Sequence, residues 1–252
     1  FARAFGSIGY AVMSMTIGRL IAWQGAGVQP WALAVTSGCF FLSVLLFPFE
    51  KGKKQEKNQA ETGGGMIAFL RRYPAFGVTL AGCVLIYISH VVINNFAYQI
   101  VVMKGGTSEH MGTALALAGL LEVLTMFFFS FLLRFRPSGF WFRISGVFFT
   151  LKVIGTYLAP TVAVFYLVQL FQPLGWGLMT VASVYYVNEL MREQDRIKGQ
   201  AYMTMTLSIA TIIGSLGGGW MIDAVGVNGM LLAAILCGAL GTAIVLGGRK
   251  SR

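Results

Sequence analysis

The chain alternates between long apolar runs and short polar connections. Eight runs are long enough to cross a bilayer core about 30 Å thick, which takes about 20 apolar residues in a helix. Lipid cannot satisfy bare backbone groups, and the two-residue alternation of a membrane barrel is absent, so the runs predict helices. We therefore predict an all-α membrane protein with eight transmembrane helices. Their predicted ranges are 4–24, 30–49, 76–102, 111–133, 139–159, 161–187, 201–223 and 228–247.

One long polar connection divides these helices into two and six. Residues 50–75 are rich in Lys, Glu, Gln and Gly, which favours a solvated, flexible linker. The sequence thus predicts a two-helix part at 1–49, a linker at 50–75 and a six-helix part at 76–252. Because two helices beside six make an unbalanced unit, and because Phe1 opens within an apolar run, we expect further helices upstream.

Positive charge lies almost wholly on alternate connections. Four of them, 50–75, 134–143, 188–200 and the C-terminal tail, carry fifteen Lys and Arg residues together, whereas the intervening connections carry only Lys104. Cytoplasmic loops of membrane proteins hold the excess of basic residues. We therefore predict that the linker and the C-terminus are cytoplasmic. Arg19, near the outer end of the first helix, is an exception that can extend to the interface.

Composition excludes several other classes of protein. Hydrophobic residues make up 56% of the chain and charged residues 11%, against about 25% charged in a soluble domain. The net charge of +10 would suit a nucleic-acid binder, but its placement on one side fits membrane topology instead. Cys39, Cys83 and Cys237 lie in apolar runs without metal-ligand spacing, so we predict no metal and no cofactor.

Ionisable residues within the runs are candidates for function, because charge in a membrane is costly unless it is paired or hydrated. Arg3 is either an interface anchor or a cavity residue, and Tyr10 follows two turns later on the same face. Glu122 and Lys152 lie near the middle of neighbouring predicted helices, where they could meet. They are either a structural ion pair or a solute- or proton-binding pair. His90 is a candidate for solute binding or for helix packing.

Amide side chains add neutral hydrogen-bonding groups to two of the predicted helices. Asn94 and Asn95 lie in one of them, and Gln169 and Gln172 share a face of another. Amides suit neutral polyhydroxy solutes, but they also join helices by hydrogen bonds. In "GSLGGGW", Gly214 and Gly218 have the spacing that lets membrane helices approach closely. Pro173, in "QPLGWG", predicts a kink.

In order and spacing these segments resemble the major facilitator superfamily, and within it the oligosaccharide–proton symporters that include lactose permease. The opening "RAFGSIGYA" resembles a stretch in which that branch has a sugar-binding Arg and, seven residues on, a stacking Trp. Arg3 and Tyr10 occupy those places. Glu122 in "LAGLLEVLTMFF" and Lys152 in "FFTLKVIGTYL" match a sugar-contacting and a coupling position. The resemblance implies a twelve-helix fold, of which this chain would hold helices five to twelve.

The resemblance implies a secondary transporter of a small polar solute, a sugar or glycoside, and no enzyme. Substrate would reach a central site by alternating access, in a bacterial cytoplasmic membrane. The branch carries a titratable Lys, His and Glu in helix ten, where this chain has Val168, Phe171 and Leu174, so proton symport stays open. Open alternatives are a carrier for an aromatic or carboxylic acid or a nucleoside, and a non-transporting membrane sensor. The predicted substrate-binding residues are Arg3, Tyr10, His90, Asn94, Asn95, Glu122, Gln169 and Gln172, with Glu122 and Lys152 as the coupling pair.

Overall fold

The structure, a computed structural model, describes residues 2–47 and 65–248, with side chains from Phe5 onward. Within this part of the chain, every regular element is a helix. A 3₁₀ turn at Gln169–Phe171 and a π-helical turn at Pro173–Gly177 connect the helix that ends at Val168 to the helix that begins at Leu178, and a 3₁₀ turn at Glu193–Asp195 precedes the helix that begins at Arg196. The α-helices are α1 (Ala2–Gln24), α2 (Val28–Leu46), α3 (Met66–Arg72), α4 (Pro74–Asn95), α5 (Ala97–Met103), α6 (Ser108–Leu132), α7 (Ser138–Leu158), α8 (Val162–Val168), α9 (Leu178–Leu190) and α10 (Arg196–Gly247).

Six helical segments in the described residues are long and apolar enough to cross a membrane. The segment α7, which contains Arg143 and Lys152, is not among them, and α10 enters as a single segment. The membrane-protein prediction is therefore supported, while the count of eight helices stays a prediction. The six segments are Phe5–Gln24, Val28–Leu46, Pro74–Asn95, Ser108–Leu132, Val162–Leu190 and Glu193–Gly247.

Two predicted helices correspond to the two parts of α10, which breaks at one residue. Gly226 has φ 73° and ψ 178°, outside helical geometry, and it lies between the predicted ranges 201–223 and 228–247. Glycine adopts a positive φ without the steric cost that a side chain imposes. The predicted helix at 76–102 is likewise divided, because α4 ends at Asn95 and α5 begins at Ala97.

Helices α4 and α10 make the most extensive contact in the described structure, and glycines bring them together. A Cβ at Gly241 would lie 2.6 Å from the carbonyl oxygen of Gly82, so the two backbones touch. In the first part of α10, Gly214 packs against Val91, and Gly218 packs against the ring of Phe96. Small residues allow such close approach in a membrane, where burial of apolar surface drives little association.

A second glycine contact joins α1 to α6. A Cβ at Gly18 would lie 2.8 Å from the carbonyl oxygen of Ser108 and 2.9 Å from the Cα of Gly112. Beside it, Arg19 pairs with Glu109 at 3.4 Å on the exposed surface, which gives the exceptional Arg19 a partner. This contact connects the predicted two-helix part of the chain to the six-helix part.

Part of the predicted linker is helical and anchored. Phe69 of α3 is buried and its ring lies 5.0 Å from that of Tyr202 in α10. Asp195, which is buried just before α10, pairs with Arg72 at the end of α3 at 3.3 Å. Asp195 also accepts a hydrogen bond from the Tyr73 hydroxyl at 2.8 Å. Burial and this hydrogen bond raise the pKa of the Tyr73 phenol. The helix MIAFLRR is anchored through Phe69 and the partly buried Leu70, while Met66 and Ile67 are exposed.

Candidate functional site

A cavity of about 450 Å³ lies where α1, α4, α6 and the connection between α8 and α9 meet. The N-terminal half of α1 and the middle of α6, from Leu115 to Met126, line it, so it starts about one helical turn from the Gly18–Gly112 contact. Its wall is mixed, with apolar side chains beside aromatic, amide and carboxylate groups. The polar and aromatic members of the wall are Ser7, Tyr10, His90, Asn94, Glu122, Gln172, Trp176 and Thr180.

Five predicted site residues come together in this wall although they are far apart in sequence. They are Tyr10, His90, Asn94, Glu122 and Gln172. Tyr10 is 47% exposed, because its ring faces the open space beside α1. Arg3 falls outside the residues whose side chains the structure describes, so its predicted role is left as a prediction.

The predicted pair Glu122 and Lys152 is joined through a third residue. Gln172 donates from Nε2 to Oε1 of Glu122, and its own Oε1 accepts a hydrogen bond from Nζ of Lys152. Lys152 and Gln172 are 4% and 3% exposed. Lys152 therefore lies behind the cavity wall, while Glu122 forms part of it. The sequence suggested that the two charges meet directly, and the structure instead inserts an amide between them.

His90 is held in an aromatic and amide environment. Its ring stacks on Trp176, with centroids 3.8 Å apart and planes within 9°, and it meets the edge of Phe149 at 5.4 Å. Asn94, one turn later, donates to the backbone oxygen of His90 at 3.0 Å, and its Nδ2 also lies 3.1 Å from His90 Nδ1. These contacts fix the ring in the wall, so packing and cavity lining are both roles of His90.

Trp176 is a wall residue that the sequence analysis did not predict, as are Ser7 and Thr180. Trp176 lies in the π-helical turn Pro173–Gly177, which begins where proline removes a backbone donor. Thr125 of α6 donates to the carbonyl oxygen of Pro173 at 2.7 Å, which also accepts from the backbone N–H of Leu178. Such turns within helices are rare and occur often at functional sites. The motif "QPLGWG" therefore carries more than the predicted kink, because it presents Gln172 and Trp176 to one cavity.

Glycines hold this turn against the neighbouring helices. A Cβ at Gly175 would lie 3.3 Å from the backbone of Phe149 in α7, and one at Gly177 would lie 3.2 Å from Oγ1 of Thr125 in α6. Contacts this tight leave little room for a side chain. The turn is thus wedged between α6 and α7, the two helices that carry Glu122 and Lys152.

A comparison with protein families agrees with this architecture. The model of a family described as "MFS_1 like family" matches residues 2–233. The chain belongs to the MFS_1 like family. Members of this family are membrane transporters of the major facilitator type, and the apolar helices make the chain an integral membrane protein. A comparison with curated proteins found no match.

Two predicted site residues of this MFS_1 like protein lie outside the cavity wall. Asn95 donates from Nδ2 to Oγ of Ser215 at 2.8 Å, which links the end of α4 to α10. Gln169 is buried and donates to the backbone oxygen of Phe165 one turn earlier at 3.1 Å. In this conformation Asn95 joins two helices, which is the alternative that the sequence left open, whereas the hydrogen bond of Gln169 lies within its own helical segment.

A second, smaller cavity of about 150 Å³ adjoins the first in this MFS_1 like chain. Trp176 and Thr180 line both spaces. The smaller cavity continues between α9 and the first part of α10, where Ser183, Gln200 and Thr204 add polar groups to its wall. Trp176 thus forms the boundary between a large central cavity and a narrow polar one.

Proposed function

We propose that the protein transports a small, neutral, polyhydroxylated solute, a sugar or glycoside, and binds it in the central cavity. The observation that carries the proposal is the wall itself. A carboxylate and two amides, from Glu122, Asn94 and Gln172, share a cavity of about 450 Å³ with the aromatic rings of Tyr10 and Trp176. Ligand sites of small molecules span about 300–1,000 Å³ and combine apolar walls with a few polar groups.

The position of Lys152 favours a neutral solute over a carboxylic acid. A carboxylate would need a cation in the wall, yet among the described side chains the wall contains no Lys or Arg, because Lys152 is buried behind Gln172; Arg3 lies outside the described side chains. Hydroxyl groups, by contrast, can donate to Glu122 and exchange hydrogen bonds with the amides. The aromatic rings would cover the apolar face of a sugar ring.

The contact between α1 and α6 supports transport by alternating access. Gly18 and Gly112 bring the two helices together on the side of the chain that is poor in basic residues, and the cavity starts about one turn further along α6, at Leu115. Separation of α1 from α6 at these glycines would open the cavity toward that side. If the cavity is closed on the opposite side while α1 and α6 are apart, the solute is exposed to one face of the membrane at a time.

The charge pattern supports an orientation with the linker and the C-terminus in the cytoplasm. Fifteen basic residues lie on the connections of that side, against Lys104 alone on the connections of the other side. The resemblance to oligosaccharide–proton symporters, rather than the charge pattern, is our reason for proposing a bacterial cytoplasmic membrane.

Uptake by the full-length protein in proteoliposomes tests the proposal. The panel comprises radiolabelled lactose and sucrose, benzoate as an aromatic acid and uridine as a nucleoside, each with and without a pH gradient. We expect uptake of a sugar that falls at least about tenfold in Glu122→Gln, since one good hydrogen bond to a charged group is worth about 1.5–3 kcal/mol. A gradient-dependent rate would add proton symport.

Two results would contradict this function. Uptake of benzoate or uridine without uptake of either sugar would favour the competing substrate classes. Sugar uptake that is unchanged in Glu122→Gln would remove the central cavity from the transport path.

A further inference from the structure

The amide of Gln172 lies between two opposite charges, and its polarity matches both. An amide has an acceptor oxygen at one end and a donor nitrogen at the other. Here the oxygen accepts from the Lys152 ammonium and the nitrogen donates to the Glu122 carboxylate. The reverse orientation would set donor against donor and acceptor against acceptor, so the two charges fix the direction of the amide.

The bridge also keeps the two charges from pairing directly. Among the described residues, the ion pairs within 4.0 Å are Arg19–Glu109 and Arg72–Asp195, and Glu122–Lys152 is not one of them. The Lys152 ammonium carries three donors, so in a direct pair it can donate to either oxygen of Glu122 and compete there with a solute hydroxyl. With the bridge, Oε1 of Glu122 accepts from Gln172, and in the described structure the other oxygen accepts no hydrogen bond from the protein.

We propose that Gln172 is a positioning residue, whose amide separates Lys152 from Glu122 so that Glu122 presents its second carboxylate oxygen to a hydroxyl group of the solute. This inference rests on the proposed function and deepens it. It assigns the solute a hydrogen-bond donor at this point of the cavity, and it gives Gln172 an indirect role in addition to its place in the wall. The titratable side chains around Glu122 are Tyr10 from α1, His90 from α4 and Lys152 from α7.

The substitution Gln172→Glu tests the direction of the amide, because the introduced carboxyl can imitate it only when protonated. A protonated carboxyl has one acceptor oxygen for Lys152 and one hydroxyl donor for Glu122, as the amide has. When ionised, it presents an acceptor to another carboxylate, and like charges at this distance repel. Binding of the variant should therefore recover as the pH falls.

Binding of radiolabelled lactose and sucrose to purified full-length protein is measured from about pH 5 to about pH 9, a range that covers carboxyl titration at buried sites. Relative to wild type at the same pH, we expect Gln172→Glu to bind at least about tenfold more weakly at the alkaline end and within about threefold at the acidic end. Gln172→Met, which lacks both ends of the amide, should be weak at every pH. The matched control Gln99→Glu adds the same carboxyl at an exposed glutamine outside the cavity and should follow wild type.

A double variant tests whether Glu122 is the group that repels the introduced carboxylate. In Glu122→Gln the repulsion is absent, so adding Gln172→Glu should give no recovery at acidic pH. Recovery that persists in this background, or a Gln172→Glu variant whose binding relative to wild type does not change with pH, would overturn the inference.

Thermal melting without solute separates this inference from the proposed function. The melting temperature of Gln172→Glu should lie below that of wild type at alkaline pH and approach it at acidic pH. If the wild-type protein binds neither sugar, the proposed function is wrong. The pH dependence of the melting temperature then still tests whether the Gln172 amide bridges Lys152 and Glu122. A melting difference that is the same at every pH would show that the amide direction does not matter.

Discussion

The contact between α4 and α10 and the contact between α1 and α6 are built in the same way but differ in their surroundings. Each has a pair of touching glycines, Gly82 with Gly241 and Gly18 with Gly112. Each also has an ion pair near one end. In the most apolar stretch of α4, however, 61% of the residues are buried in the protein, against 11% in α1.

The ion pairs differ in the same sense. Asp195, which ties the start of α10 to Arg72, is 1% exposed although Arg72 itself is 50% exposed, whereas Arg19 and Glu109 are 61% and 51% exposed. Exposed pairs contribute about 0–1 kcal/mol, while breaking a buried pair costs several times more. Close glycine packing therefore serves a permanent core in one place and, under the proposed transport cycle, a separable contact in the other.

Filling the α4–α10 contact should have the largest effect. A side chain at Gly241 would meet the backbone of Gly82, which cannot rotate away, so Gly241→Leu should lower the free energy of unfolding by about 3 kcal/mol or more. The yield of folded protein in detergent and its melting temperature measure this. Gly217→Leu, on the same helix with no atom within 4 Å of an added Cβ, is the control. Equal yields for the two variants would mean that this contact is not a permanent core.

Filling the α1–α6 contact should stop transport while leaving most of the fold intact. Gly18→Leu would hold α1 away from Gly112, so we expect sugar uptake to fall more than about tenfold with a smaller loss of melting temperature than in Gly241→Leu. Gly9→Leu is the control, because an added Cβ on this residue of α1 meets nothing within 4 Å. Gly18→Leu with full uptake would show that α1 and α6 need not close.

The helical membrane architecture could be predicted from sequence because lipid leaves few alternatives to apolar helices. The breaks within those helices could not. The turn Pro173–Gly177 depends on a hydrogen bond from Thr125, and the separation of α4 from α5 at Phe96 accompanies packing of that ring on Gly218. Proline and glycine mark such places in the sequence, but the neighbouring helix decides the geometry.

The sequence allowed the residue types of the site to be predicted, but their hydrogen-bond partners were harder to predict. Glu122 and Gln172 could be identified because they are ionisable or amide residues within apolar runs, and such groups are costly in a membrane unless they have a function. The bridge to Lys152 depends on the register between α6, α7 and the α8–α9 connection, which sequence spacing does not contain. Trp176, four residues after Gln172, was missed because aromatic residues are common on packed membrane helices.

Neutralising Asp195, the buried member of the ion pair with Arg72, should have an intermediate effect. Asp195→Asn removes the charge that Arg72 and the Tyr73 hydroxyl contact, and we expect a loss of about 1–3 kcal/mol in the free energy of unfolding. Sugar uptake per folded molecule should stay near wild type, because the pair lies outside the cavity wall. Melting temperature and uptake are compared on the same preparations. An unchanged melting temperature would mean that this pair contributes as little to stability as the exposed pair Arg19–Glu109.

Neutralising the exposed ion pair should have the smallest effect. Arg19 and Glu109 lie 3.4 Å apart with more than half of each side chain exposed, so water and salt weaken their attraction. We expect Glu109→Gln to change the free energy of unfolding by less than about 1 kcal/mol and sugar uptake by less than about twofold. Raising the salt concentration should reduce even this difference from wild type. A large loss of uptake in Glu109→Gln, matched by the same loss in Arg19→Gln, would contradict this expectation. It would mean that closure of α1 on α6 needs the ion pair as well as the glycines.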